Sequence, residues 1–167
     1  MLVGSNPLPN YLVACALRPE RVALVYTSQT SDAKNRLQVQ LQNALGNQLQ
    51  LQEKFIQNAA RVTDVKGAIE SLMQGHDNQH VHLNYTGGTK VMAAHALLAF
   101  RDRGGKPENA SYLDEVGDGQ EPLLRFDSGR EKRLSELNNI PPENGNHFRL
   151  AWRSSPAAKA QATGPHA

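Results

Sequence analysis

The sequence predicts an α/β protein with a mostly parallel sheet, helices on both faces and a short antiparallel edge. Three observations lead there. Short apolar runs alternate with stretches of helical periodicity as far as residue 105, the pattern of strand–helix–strand units with right-handed crossovers. Val22-Ala23-Leu24-Val25-Tyr26 is apolar at every position, as a strand buried on both faces requires. Three late strand-like runs then follow, with no strong helical pattern between the first two, which calls for an antiparallel return.

Met1 to Gly4 reads as the end of a short apolar strand broken at Ser5-Asn6-Pro7, after which Leu8, Leu12, Val13, Ala16 and Leu17 recur at helical spacing. Pro19 ends that helix, and the apolar run at 22–26 is the next strand. A polar turn, Thr27 to Asp32, supplies Ser31 or Asp32 as N-cap for a helix marked by Leu37, Leu41 and Leu45 and closed by Gly46. Glutamines alternating with apolar residues place a strand from Leu49 to Phe55. Val65, Ala68, Ile69 and Leu72 define a helix from Thr63 or Asp64 to Met73, stopped by Gly75. Val81, Leu83 and Tyr85 alternate with His80, His82 and Asn84, giving a strand that runs into Thr86-Gly87-Gly88-Thr89-Lys90. The alanine-rich run Val91 to Phe100 forms a helix able to lie close on the sheet, ended by Gly104-Gly105. Ala110 to Leu113, Leu123 to Phe126 and Phe148 to Trp152 are the late strands. The expected domain spans 1–153, and 154–167, with nothing apolar larger than alanine, is expected to be a disordered tail.

Composition narrows the function classes. The 167 residues are 39% hydrophobic and 20% charged, which fits one soluble domain. No apolar run approaches the roughly 20 residues that span a bilayer, so no membrane is expected. The net charge of +2 and aromatic content of 5% argue against a long nucleic-acid partner, which wants a basic stripe or a stacking platform. The single cysteine, Cys15, sits among apolar residues as a buried thiol would, and with no leader pattern it places the protein in a reducing cytoplasm.

In parallel sheets ligands bind at the carboxyl ends of the strands, and three polar turns fall at that edge. The turn at 86–90 offers two glycines, two hydroxyls and one amine before a helix start. Glycine lets backbone amides approach a phosphate, the helix dipole favours the anion, and Lys90 adds a full charge. Neither the P-loop spacing nor GxGxxG is present, which removes support for nucleoside triphosphates and nicotinamide cofactors. Ser5-Asn6-Pro7-Leu8-Pro9-Asn10 brings a hydroxyl, two amides and a stiffened helix start, of which helix capping is the plainer explanation. Thr27-Ser28-Gln29-Thr30 is a weaker secondary contact. His80 and His82 share a strand face without a third ligand nearby, so no metal is assigned; His95 and Cys15 receive no catalytic role, and Arg130 to Arg133 reads as a solvated charge run.

The stretches Val3-Gly4-Ser5-Asn6-Pro7-Leu8-Pro9-Asn10 and Leu83-Asn84-Tyr85-Thr86-Gly87-Gly88-Thr89-Lys90-Val91-Met92 together resemble the CARF family, the CRISPR-associated Rossmann-fold sensors. The resemblance spans roughly residues 1 to 127 and is nearest to the sensor region of the two-domain CARF-nuclease effectors of type III CRISPR systems, with Leu124-Arg125-Phe126-Asp127 included. It implies a Rossmann-like homodimer with a shared groove that binds a cyclic oligoadenylate, most often the tetramer. Ser5 and Asn6 would contact the ribose-phosphate ring, Thr86 to Lys90 the phosphates, and Thr27 to Thr30 the adenine or ribose side, with Pro7, Asn10 and Asn84 completing the set. No cofactor is implied.

The effectors continue into a metal-dependent nuclease, whereas here no Glu-x-Lys motif occurs and no arginine is followed four to six residues later by histidine. The Asp-x-Lys triplets at 32–34 and 64–66 sit at helix starts. Two functions share the groove. One is a metal-independent ring nuclease, in which the ring's own 2′-hydroxyl attacks the adjacent phosphate with Lys90 and Ser5 as candidate catalytic residues. The other is a sensor that signals to a separate effector. A third expectation, from the fold alone, is a domain binding an unrelated mononucleotide.

Overall fold

A computed structural model describes residues 1–114 and 121–137. After an extended first segment come α1 (Leu8–Leu17), β1 (Arg21–Tyr26), α2 (Ser31–Leu45), β2 (Gln50–Phe55), α3 (Val62–Met73), β3 (Leu83–Asn84), α4 (Lys90–Asp102), β4 (Ala110–Asp114), β5 (Leu123–Phe126), β6 (Glu131–Arg133) and α5 (Leu134–Leu137). β1 pairs in parallel with β2, and a second sheet has the order β3-β4-β5-β6. In that sheet β3 and β4 are parallel, while β4–β5 and β5–β6 are antiparallel. Strand pairing is parallel at β1–β2, at β3–β4 and between Leu2 and Val25, and antiparallel along the edge formed by β4, β5 and β6.

Residues 1–3 join the two sheets. Val3 N–H donates to Val25 C=O and Val25 N–H to Met1 C=O, each at 2.9 Å, while Leu2 N–H donates to Asn84 C=O at 3.2 Å. Successive residues of an extended chain turn their hydrogen-bonding groups to opposite sides, so three residues suffice to hold β1 on one flank and β3 on the other. Side chains alternate in the perpendicular direction. Leu2 and Val25 enter one core with Val65, Ile69, Met92, Ala96 and Phe100 of α3 and α4. Val3, Val22 and Leu24 enter another with Ala14, Leu37 and Leu41 of α1 and α2. Helices thus cover both faces. The alanines of α4 work as their composition suggests: Ala96 and Ala99 are fully buried, and their small volume lets the helix axis approach.

Two expectations need correction. The strand foreseen from Val81 to Tyr85 is only Leu83–Asn84, because β4 begins at Ala110 opposite Leu83 and nothing among the described residues pairs with residues 81 and 82. Neither Ser31 nor Asp32 caps α2: a 3-10 turn over Ser28–Thr30 precedes it, closed by Thr27 N–H donating to Thr30 Oγ1 at 3.1 Å, and both residues lie inside the helix. The charge run at 130–133 is mostly exposed, as a solvated run would be, and it also contains an edge strand, β6, whose Glu131 pairs with Arg125 and whose neighbour Arg130 lies over the Phe126 ring at 4.9 Å. The triplet 32–34 does lie in the first turn of α2, and its Lys34 is almost wholly buried: it reaches Glu53 Oε2 at 2.9 Å and lies 4.8 Å from the centre of the Tyr26 ring. Its ammonium, with Gln38, holds the Glu53 carboxyl below the usual range. The strand foreseen at 148–152 and the tail at 154–167 fall outside the described residues. No helix among the described residues is long and apolar enough to cross a membrane.

His82 packs edge-on against Phe126 at 5.9 Å and shares a 2.7 Å hydrogen bond with Ser111 Oγ. Burial, and secondarily the Met1 ammonium, lowers its pKa from 6.5 to about 4. The unfolded chain therefore takes up this proton before the folded one does, so stability is full above about pH 6.5 and falls as pH drops toward 4. His82→Gln should remove on the order of 2 kcal/mol of that acid loss. Urea unfolding of both proteins at pH 7 and pH 4.5 measures it; parallel losses would contradict it.

Candidate functional site

The site is built where backbones touch. Leu2 lies opposite Asn84, and two residues further on Gly4 lies against Gly87 and Gly88, so the first segment and β3 leave the sheets side by side and in the same direction. A Cβ on Gly87 would collide with Leu2 O and stand 2.9 Å from Gly4 N and 3.0 Å from Asn10 Oδ1; one on Gly4 would stand 3.0 Å from Gly88 N. Gly88 has φ +79°, a left-handed conformation in which a side chain would also meet Met92 Sδ at 2.7 Å. Here glycine is a requirement of close approach.

β1 and the first segment are parallel, so the turn after Tyr26 opens at the same edge. Three strand-to-helix turns and the N-termini of α1, α2 and α4 therefore gather there, and helix N-termini carry partial positive charge. Aside from Asp32 in α2, none of these helices has an acidic residue in its first turn.

The polar residues of these turns divide into two groups. Asn10, Thr27, Asn84 and Thr86 are turned to the protein. Asn10 is fully buried and donates from Nδ2 to Leu2 C=O at 2.9 Å; its Oδ1, beside Gly87, has no partner among the described residues. Thr27 and Thr30 close on each other. Asn84 is buried and donates to Ser111 C=O and Oγ at 3.2 and 3.3 Å. Thr86 Oγ1 accepts from Leu113 N–H at 2.8 Å and ties the glycine turn to β4. Ser5, Asn6, Ser28, Gln29, Gly88, Thr89 and Lys90 are exposed. Two of these also serve helices: Asn6 Oδ1 accepts from Leu8 N–H, and Thr89 Oγ1 accepts from Met92 N–H as N-cap of α4, both at 3.1 Å. Pro7 is the N-cap residue of α1 and Pro9 lies in its first turn, where a missing donor costs nothing. Lys90 is the first residue of α4 and makes no ion pair among the described residues.

One buttress escaped the sequence. Tyr85 O–H donates to Asp127 Oδ1, and Arg101 of α4 pairs with Asp127 Oδ2 at 3.1 Å, so the residue before the glycine turn is locked to β5 and α4. Burial and the adjoining carboxylate push the Tyr85 hydroxyl pKa up, and its ring leans on Tyr112 at 5.6 Å. Partners 42 residues apart leave no local pattern to find. Cys15 is half-buried with its thiol pKa raised by burial, which makes a poor nucleophile. His80 is exposed and meets Asp77 at 3.3 Å, while His95 is half-buried on α4.

A sheet-edge site made by two glycine-bearing turns and helix N-termini has the geometry of an α/β domain suited to anions. The model of the Card1 CARF domain family matches residues 1–116, and the chain belongs to that family. Among solved structures, Can2 from Sulfobacillus thermosulfidooxidans in complex with cyclic tetra-adenylate is 23% identical, with a TM-score of 0.64 over 81% of this chain. A type III CRISPR defence DNA nuclease activated by cyclic oligoadenylate is 25% identical, with a TM-score of 0.59 over 79%. Protein VC1899 from Vibrio cholerae is 13% identical, with a TM-score of 0.58 over 80%. The chain spans 36%, 20% and 34% of the lengths of those three. No curated protein sequence matches it.

Gly87→Ala should cost about 2 kcal/mol or more, because the methyl is driven against backbone that cannot yield. Gly129→Ala is the control: that glycine has space around it, so only its positive φ of +84° opposes the substitution. Chemical denaturation of both variants checks the order; equal costs would mean that the approach of the two turns is not tight.

Proposed function

We propose that this chain binds a cyclic oligoadenylate, cyclic tetra-adenylate first among them, at the edge where the 4–6 and 86–90 turns meet. The observation that carries this is the backbone contact of Gly4 with Gly87 and Gly88, which sets exposed Ser5 and Asn6 beside the N-terminus of α4 and a lysine without an ion pair among the described residues, in a CARF family member. Each 3′,5′ phosphate brings one negative charge, and backbone amides, a helix dipole and Lys90 are donors suited to it. Two solved relatives are described as bound to, or activated by, such a ring, which supports the same ligand here.

A ring with rotational symmetry suits a two-fold groove, so the proposed assembly is a Rossmann-like homodimer in which each subunit offers the same turns. Its contact face would be the outer side of α4. Val91 and Leu98 are 43% and 60% exposed, Ala94 lies between them, and this i, i+3, i+7 stripe starts beside Lys90.

Binding alone would make the chain a sensor for a separate effector. The second function on the same groove is ring cleavage: a ribose 2′-oxygen bonds to the adjacent phosphorus, the bond to the 5′-oxygen breaks, and that oxygen takes the proton, leaving a 2′,3′-cyclic phosphate. Lys90 would stabilise the developing charge and Ser5 position the phosphate. Turns 4–10, 27–30 and 84–90 contain no histidine, aspartate or glutamate to take the 2′-proton, which favours the sensor.

Labelled cyclic tetra-adenylate incubated with the protein and EDTA, followed by chromatography, tests both. Retention of intact ring supports the sensor, conversion to linear products supports cleavage, and retention no better than that of ATP overturns the ligand. Lys90→Ala should weaken retention by about 2 kcal/mol, roughly 30-fold. Leu98→Glu should give a monomer by sedimentation and lose ring binding with it; a dimeric, binding-competent Leu98→Glu protein would exclude α4 as the contact face.

A further inference from the structure

The glycine turn is carried by a very short strand. β3 gives it two residues of ladder, Leu83 and Asn84, followed by Tyr85 N–H donating to Ser111 C=O at 3.0 Å and Leu113 N–H donating to Thr86 Oγ1 at 2.8 Å. Thr89 Oγ1 is occupied in capping α4. A single carboxylate adds the further polar hold seen among the described residues. Asp127, with its side chain 12% exposed, accepts from the Tyr85 hydroxyl on Oδ1 and from Arg101 on Oδ2 at 3.1 Å. Its own N–H donates to Ala110 C=O at 3.0 Å, which pins it to β4. Hydrogen bonds to an ionised carboxylate are roughly twice as strong as neutral ones, so this is a firm tie.

The two partners of Asp127 stand on either side of the turn. Tyr85 comes just before Thr86 and Gly87, and Arg101 lies in the last turn of α4, the helix that the turn begins. An α-helix takes about 10.8 residues for three turns, so Lys90 and Arg101 project from nearly the same side of α4. Holding Arg101 therefore limits rotation of α4 about its axis, and with it the direction in which Lys90 leaves the helix. We propose that Asp127 is a positioning residue for the anion site: through Tyr85 it sets where the backbone amides of Gly87 and Gly88 lie, and through Arg101 it sets where Lys90 points. This role rests on the ring-binding reading of the site and names what keeps the phosphate donors in place before the ligand arrives. A site ordered in advance loses less to ordering on binding, and keeps more of its contacts as affinity. Because Asp127 acts through the turn and α4, its effect is read in how much Lys90 contributes.

Two variants separate the ties. Asp127→Asn keeps an acceptor for Tyr85 but sets a neutral amide against Arg101, and Tyr85→Phe removes the hydroxyl alone. In the free protein each should speed amide exchange at residues 85 and 113 roughly tenfold, while exchange at Ile56, whose N–H donates to Tyr26 C=O beside β2, stays within about twofold. Equal acceleration at all three amides would show a loss of global stability and overturns the positioning role. With labelled cyclic tetra-adenylate, Lys90→Ala should weaken retention roughly 30-fold in the native chain and less than about fivefold in either variant, the non-additivity of residues that act through one geometry. Arg101→Lys, which keeps a cation for Asp127, should preserve a Lys90→Ala effect of about tenfold or more. An undiminished Lys90→Ala effect in both Asp127→Asn and Tyr85→Phe overturns Asp127 as a positioning residue and leaves ring binding standing. No retention of the ring by the native chain overturns ring binding and this role together.

Discussion

The structure hangs on three residues. Met1, Leu2 and Val3 hydrogen-bond to β1 on one side and to Asn84 on the other, and their side chains enter both cores. Without this segment β1–β2 and β3–β6 would be two sheets with no backbone link. Because the segment continues directly into Gly4, whatever fixes its position also fixes the turn that meets Gly87 and Gly88. Fold and site rest on one set of backbone contacts, and Asn10 holds them from α1 by reaching back to Leu2 C=O.

That arrangement explains the division of labour among the turn residues. Where two turns approach within backbone contact, the polar side chains between them must satisfy the protein first, since an unpartnered buried amide costs about 1 to 3 kcal/mol. Asn10, Asn84, Thr27 and Thr86 are used this way. What is left to face a ligand is the outer rim: Ser5, Asn6, Ser28, Gln29, exposed glycine backbone and Lys90. A rim of neutral donors with one cation per chain suits a ligand whose charges are spread around a ring, one phosphate at a time.

The two edges of the sheets differ in kind. At the carboxyl edge the strands end in polar turns, and helix N-termini make the environment favourable to anions. At the amino edge apolar side chains from α1, α3 and α4 line a cavity of about 610 Å³. Chemistry directs the search for a phosphate ligand to the first edge.

The sequence by itself determined the order of helices and strands as far as Phe126, the alanine-rich approach of α4, the helix-ending glycines and the two motifs that resemble the family, because each depends on periodicity or backbone demands over a few residues. It also placed three polar turns at one edge, since alternating parallel units leave no other arrangement. Only the tertiary structure decided which turn residues face out, that β3 shrinks to two residues, that Lys34 is buried against Glu53, that His82 is held neutral beside Ser111, and that Tyr85 is locked by Asp127 and Arg101. Those outcomes depend on partners 19 to 42 residues away, in pairings no local pattern encodes. A strand ends where its neighbour does, and a polar side chain takes whichever partner packing brings within reach.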